Sequence, residues 1–372
     1  MDIVWIVIGT LLVLLALADV FVTVLYARAG IGLLTPRLYR ATWMAFKAQG
    51  ARMGTRRDAF LSFAGPTLMV LTVSAWFALL LLGFALIAWP ALGTALQASE
   101  GRTPLDFGSA IYYAGYSLTT LGTGDIVPRT GTYRALMVVQ AAVGFSVITL
   151  TLTYFMSVYS ALVRRNTLAQ ALHHLSGGTG SALDMLIHLA PGSDPQQMQG
   201  QFSTLAFRVL NLLESHHSYP VLHYFRMRDE RYAMARMAVL VLQPLTLIKC
   251  ALGRDHRDLA CSAAVRMLWG SGIDLLHQSG RSFLKDDASR DTREQDRQQL
   301  RFALECLREA GIQVADDPAR VERRYLELRD RWADLARSFA ELMGYAWAAI
   351  EVDSGRCDGR RPDPGRSAST AS

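Results

Sequence analysis

Long apolar runs alternate with short polar loops up to about residue 165, and beyond that point a polar, helix-periodic pattern takes over. A bilayer crossing needs about 20 consecutive apolar residues, because unpaired backbone groups are too costly in hydrocarbon. Three runs qualify. Ile3–Ala27 carries one charge, Asp19; Ala59–Ser99 carries none, with its apolar heart at Phe63–Leu92; Ala135–Val163 is 29 residues without a charge, closed by Arg164 and Arg165. Each predicts a membrane-spanning helix. A fourth apolar and aromatic stretch, Asp106–Thr120, is long enough for only about four helical turns and is capped by Asp106, so it forms a helix too short to span.

The second half reads as helices joined by turns at Ser176–Gly180 and Pro191–Pro195, with little strand alternation. Its most regular segment, Pro318–Ile350, predicts one helix with Asp317 as cap and Pro318 in the first position. Val321, Tyr325, Leu328, Trp332, Leu335, Phe339, Leu342 and Ala346 recur in steps of four and three, and Glu327 and Arg331 form an i,i+4 pair. Such a seam serves either an intersubunit coiled coil or the buried face of a domain helix, and the bulk of Trp332 and Tyr325 favours the second. Ser354–Ser372, rich in Gly, Pro, Ser and Arg, is expected to be disordered.

Charge adds an orientation. Residues 1–165 hold 12 basic and 6 acidic side chains, and residues 166–372 hold 26 of each. The positive excess lies beside the apolar runs, which excludes a nucleic-acid binder with a basic face. Seven basic residues fall between Arg28 and Arg57, whereas the loop between the second and third runs holds three basic and three acidic ones. By the positive-inside bias, 28–58 and everything after 163 are cytoplasmic, 94–134 is external, and the N-terminus is outside. A cleaved signal peptide at Ala16-Leu17-Ala18 lacks the basic start that it would need. Within the basic loop, Thr35–Gln49 predicts a helix capped by Thr35 and opened by Pro36, with Arg37, Arg40 and Lys47 on one side and Leu38, Trp43 and Phe46 as apolar anchors. It is either an interfacial helix in the headgroup layer or an ordinary loop helix.

The external loop carries the chemistry. After the short helix comes Thr119-Thr120-Leu121-Gly122-Thr123-Gly124-Asp125, then Ile126-Val127-Pro128. Alternate glycines permit backbone angles forbidden to other residues. Non-helical backbone at membrane depth is tolerated where it lines water or is buried in protein, and rows of carbonyls facing such a pore can replace the hydration shell of a cation. The negative C-terminal end of the short helix, aimed into the membrane, adds to that field. Thr119–Asp125 resembles the filter signature of the potassium-channel pore family, Thr-Thr-Val/Ile-Gly-Tyr-Gly-Asp, and the resemblance extends over about residues 60–165.

That resemblance implies filter carbonyls from Thr120, Leu121, Gly122 and Thr123, with the Thr120 hydroxyl at the inner end, Gly124 completing the Gly-x-Gly, and Asp125 at the pore mouth. Gly144 lies where relatives often have a hinge glycine; close helix packing explains it equally well. Thr123 replaces the usual aromatic, whose ring packs against pore-helix aromatics at the positions of Tyr112 and Tyr113, so the brace is reduced and potassium selectivity is the property at stake. Intramembrane Asp19 is expected either to make a structural bond to Thr, Tyr or a cytoplasmic Arg or to serve gating.

Gly177-Gly178-Thr179-Gly180 follows a helix where a nucleotide-binding turn needs a strand. The pairs His173-His174 and His216-His217 point apart on a helix and suit surface or core better than a metal. No Cys-x-x-Cys pair and no catalytic motif in a fitting context occurs, so no enzyme is expected. The expected fold is an all-α membrane protein with three transmembrane helices, a re-entrant pore helix and filter loop, and an α-helical cytoplasmic domain. Its segments are 1–58 (first helix and interfacial segment), 59–165 (pore domain), 166–353 (helical domain) and 354–372 (tail). The expected function is passive cation conduction in the plasma membrane, potassium by resemblance, with no cofactor besides the permeant ion. One pore loop cannot ring an axis, so the partners are the bilayer and further copies in a homotetramer. A non-selective cation channel and a non-conducting receptor or scaffold are the alternatives.

Overall fold

A computed structural model describes residues 2–26, 32, 34–189, 195–253, 257–283 and 292–352. The tail 354–372 and residues 191–194 of the expected turn lie outside the described residues, and Pro195 opens a helix. Among the described residues, three helices are long and apolar enough to cross a membrane. The first is α1 (Asp2–Val20), whose end widens into a π-turn at Phe21–Leu25. After α2 (Thr35–Gly50) and the short α3 (Arg57–Ser62) comes the second, α4 (Ala64–Ala88). Then follow β1 (Leu96–Ala98), α5 (Phe107–Leu118), β2 (Ile126–Pro128) and the third long helix, α6 (Gly131–Leu175).

Contacts divide the chain into two compact units, Met1–Ser160 with Ser218–Phe225, and Ala161–His217 with Arg226–Ser372. The division falls inside α6, not at 165/166, because neither Gly nor Pro interrupts the chain between Gly144 and Gly177 and the helix runs on past the charged residues that close the apolar span. Residues 1–58 likewise do not stand apart from the pore segment, since α1 packs along α4.

In the first unit the α1–α4 contact is a backbone one. A Cβ added to Gly9 would sit 2.4 Å from the Gly83 carbonyl oxygen, and one added to Gly83 would sit 2.8 Å from that of Gly9. Lipid tails are as apolar as leucine, so helices in a bilayer are held by close van der Waals fit rather than by hydrophobic burial. Val13, Ala16, Val20, Trp76, Leu80 and Phe84 continue the buried seam. Gly83→Leu must push the helices apart at a cost of about 1–3 kcal/mol. We expect it to lower the Tm of the detergent-purified protein by several degrees, while Gly131→Ala, which meets nothing within 4 Å, leaves it unchanged.

α2 departs from its expected start. Leu34 occupies the cap position, and the Thr35 hydroxyl donates to Asp19 Oδ2 at 2.6 Å instead of capping its own helix. Tyr39 and Trp43 are buried against protein: their rings lie 5.5 and 6.0 Å from that of Tyr224, in the segment Ser218–Phe225. Arg37, Arg40 and Lys47 remain exposed.

The second unit is helical: α7 (Ala182–Leu189), α8 (Pro195–Ser218), α9 (Met234–Cys250), α10 (Arg257–Cys261), α11 (Ala263–Phe283), α12 (Arg293–Glu309), α13 (Pro318–Arg329), α14 (Ala333–Leu342) and α15 (Trp347–Ile350). α9 is buried over nearly its whole length and is flanked by α7, α11, α13 and α14. An all-round apolar helix belongs in such a centre.

The single helix expected over 318–350 is three. Asp317 does cap it, accepting the Arg320 N–H at 3.0 Å. At Asp330–Trp332 the chain turns so that the Trp332 indole enters the core and donates to Thr246 Oγ1 at 3.2 Å, and Gly344, at φ +76°, turns it again. Val321, Tyr325, Leu328, Trp332 and Phe339 are buried while Ala346 is exposed, so the seam is the inner face of domain helices. Glu327 pairs with Arg324 at 3.0 Å, not with Arg331.

His216 in α8 is fully buried and its Nδ1 lies 3.0 Å from the Leu212 carbonyl, the geometry of a neutral Nδ1–H tautomer. Burial and the nearby Arg165 guanidinium hold its pKa down to about 3. The unfolded chain takes up a proton near the ordinary value of 6.5 and the folded one does not, so this site's stability is complete above about pH 6.5 and falls as pH drops toward 3. By about pH 4.5 the loss is roughly 2–3 kcal/mol. His216→Asn should flatten that part of the acid unfolding profile, measured by Tm against pH.

Candidate pore loop

α5 starts on a side-chain cap: Asp106 accepts the Ser109 N–H at 3.0 Å and its hydroxyl at 2.8 Å. Its far end unwinds in steps. Thr119 N–H still reaches Gly115 O at 3.0 Å, Thr120 N–H turns back to Ser117 O at 3.2 Å, and Leu121 N–H bonds Tyr116 O at 2.9 Å. The chain then takes left-handed angles at every second residue: Thr120 at φ +58°, Gly122 at +62° and Gly124 at +78°. Thr120 is the one side-chain-bearing residue with positive φ among the described residues. That conformation costs an L-residue about 1–2 kcal/mol, and such strain collects at functional sites.

The loop is fixed at its C-terminal end by a ribbon that the sequence did not announce. β1 pairs antiparallel with β2, Leu96 opposite Pro128 and Ala98 opposite Ile126. Ser99 N–H donates to Asp125 O at 2.8 Å, and Arg129 N–H to Ala95 O at 2.8 Å. The strand after the loop is thereby tied to the chain leaving α4. From α5, the Tyr116 hydroxyl donates to the Ile126 carbonyl. Tyr112 bonds Thr123 Oγ1 at 3.1 Å and also the Asp125 carboxylate. At Thr123, where the missing aromatic was expected to reduce the brace, the hydroxyl makes a contact to Tyr112.

α6 supports the loop from behind. Gln140 Nε2 donates to Ala114 O at 2.8 Å inside the core. At Gly144 an added Cβ would lie 1.8 Å from the Leu118 carbonyl oxygen, so the helix backbone presses against the last turn of α5. This contact gives Gly144 a packing reason. On their open side Thr119–Thr123 are exposed, Leu121 by 71%. Phe145, Leu152 and Met156 of α6 are exposed too.

Asp19 is buried and saturated. Its carboxylate accepts the Leu34 N–H at 2.9 Å, the Thr35 N–H at 3.5 Å, the Thr35 hydroxyl at 2.6 Å and Trp76 Nε1 at 2.8 Å. It thus caps α2 from another helix and ties α1 to α4, immediately before the π-turn. Four donors in one place are what make an intramembrane carboxylate tolerable. Tyr116, Gln140 and Trp76 escaped sequence reading; a lone polar group inside an apolar run was their one available signal.

Among the described residues no group of three or more His, Cys, Asp or Glu is placed to hold a metal ion. Residues 77–161 match the family model described as an ion channel, over the stretch in which the sequence resembles the potassium-channel pore family. The match covers the stretch from α4 through α5 into α6. An uncharacterized membrane protein, YdjJ, of Bacillus subtilis (strain 168) is 26% identical over 254 residues, covering 68% of this chain and 72% of that one. No solved structure matches the chain. The described residues hold three helices of membrane-spanning length and apolarity, and the stretch similar to the ion-channel model includes the second half of α4, α5, the loop and most of α6.

Proposed function

We propose that the protein is a passive, potassium-preferring cation channel assembled from four copies. The observation that carries the reading is the alternation of left-handed angles at Thr120, Gly122 and Gly124, in a loop that leaves the C-terminal end of a half-length helix. Such a backbone can turn successive carbonyls to one side, and four loops around an axis would give stacked oxygen rings from Thr120, Leu121, Gly122 and Thr123 in place of a cation's water. The exposure of the loop in a single copy fits a surface completed by other copies. Asp125 would concentrate cations at the mouth. The excess of basic residues between α1 and α4 supports an orientation with that mouth outside and the helical domain in the cytoplasm.

Thr123 favours a second reading, a cation channel without strong preference. Purified full-length protein in liposomes, assayed for potassium and then sodium flux, separates the two. Potassium flux well above that of empty liposomes, with slower sodium flux, supports the proposal. Equal rates support the second reading, and no flux of either ion would point to a non-conducting scaffold.

A further inference from the structure

The first unit takes in one segment from far along the chain, Ser218–Phe225, which lies between α8 and α9 in sequence. It is a tight 3₁₀ turn opened by Pro220, and Val221, Leu222, Tyr224 and Phe225 are buried. Three helices of the first unit receive it. On α2, Tyr39 and Trp43 meet the Tyr224 ring edge-on. On α4, the Phe225 ring lies against Gly65, where an added Cβ would come within 2.7 Å of it. On α6, the Tyr154 ring is 6.0 Å from that of Tyr219 and the Tyr159 ring 6.3 Å from that of Phe225, again edge-on. The Tyr39 and Tyr154 hydroxyls stand 3.4 Å apart, so α2 and α6 also meet directly.

This clasp grips one face of α6. Val147, Thr151, Tyr154 and Val158 are buried on that face, and Tyr159 reaches the clasp from its edge. The opposite face is apolar and bare: Phe145, Leu152 and Met156 fall on one stripe at helical spacing and are 65%, 65% and 67% exposed. Around a watery path, such stripes on neighbouring copies are drawn together to bury apolar surface. An apolar constriction then stops ions by dewetting. The clasp opposes that approach, because it fastens the same stretch of helix to α2 and α4.

On the reading of the protein as a four-copy channel, we propose that Ser218–Phe225 is a positioning element for conduction. It holds the 154–160 stretch of α6 against α2 and α4 and so keeps the four apolar stripes apart. Tyr219 and Phe225 act through α6 and touch no ion. Tyr219 is the better handle of the two, since it is half-buried and its truncation leaves little void, whereas Phe225 is buried against Gly65.

The test uses the full-length protein. Tyr219→Ala should cut potassium flux in liposomes several-fold and leave the reversal potential under a potassium–sodium gradient unchanged, since the filter is untouched. Tyr219→Phe keeps the ring and should retain wild-type flux. Met156→Cys, treated with a mild oxidant, should yield more cross-linked dimer together with Tyr219→Ala than with Tyr219 in place; protein without the added cysteine gives the background from the chain's own four. Unchanged flux or unchanged dimer yield in Tyr219→Ala, a raised flux, a fall shared by Tyr219→Phe, or a shifted reversal potential would each overturn the proposal. A wild-type protein that conducts nothing refutes the channel reading instead, and the dimer yield then still decides whether the clasp holds α6 apart.

Discussion

Gly122→Val and Gly124→Val should abolish cation flux in liposomes while leaving the protein folded. The reason lies in the backbone and not in space. A Cβ at either glycine would meet nothing within 4 Å, but the native angles are φ +62° and +78°. Valine is a severe outlier there, and relaxing to ordinary angles reverses the peptide planes that carry the carbonyls. In the proposed tetramer, four copies would multiply the defect around one axis. Coexpression with wild type should then suppress flux strongly: at equal expression and random mixing, roughly one sixteenth of tetramers are free of the variant. Gly131→Val is the control, because that residue opens α6 with no positive φ and no close neighbour. Wild-type flux in either filter variant would refute conduction through this loop.

The parts of this molecule that a bilayer dictates were legible in its sequence. Each long apolar run became a membrane-length helix, and Asp106 capped α5 because a side-chain acceptor is the local answer to unpaired N–H groups. Gly122 and Gly124 advertised their left-handed angles; Thr120 did not, since threonine carries no such signal and is held there by its surroundings. Tertiary contacts decided the rest. Thr35 reads as a cap but spends its hydroxyl on Asp19, a residue sixteen positions earlier. The heptad-like seam over 318–350 predicts one helix, yet burying Trp332 beside Thr246 bends the chain. Strands of three residues are too short to show alternation, so the ribbon that fixes the loop's C-terminal end left no trace. Gly9 and Gly83 lie 74 positions apart, and nothing local pairs them.

Tyr112→Phe should keep conduction but weaken the proposed preference for potassium over sodium. Position 123, aromatic in the signature that the loop resembles, is a threonine here, and the Tyr112 hydroxyl holds both Thr123 and Asp125. Removing that one oxygen deletes both bonds and leaves the glycines, the ribbon and the carbonyl count as they were. A hydrogen bond to a charged group contributes about 1.5–3 kcal/mol and a neutral one about 1 kcal/mol. If stiffness sets selectivity, losing a fraction of that support should lower the permeability ratio about tenfold, the equivalent of 1.4 kcal/mol. Thr123→Val removes only the hydroxyl contact and should give a smaller fall in the same direction. The double variant should match Tyr112→Phe alone, because both changes act on one contact. Reversal potentials under potassium–sodium gradients read all four proteins. An unchanged ratio in Tyr112→Phe would place selectivity in the number of carbonyl dipoles, which none of these substitutions alters, and would strip the brace of its role.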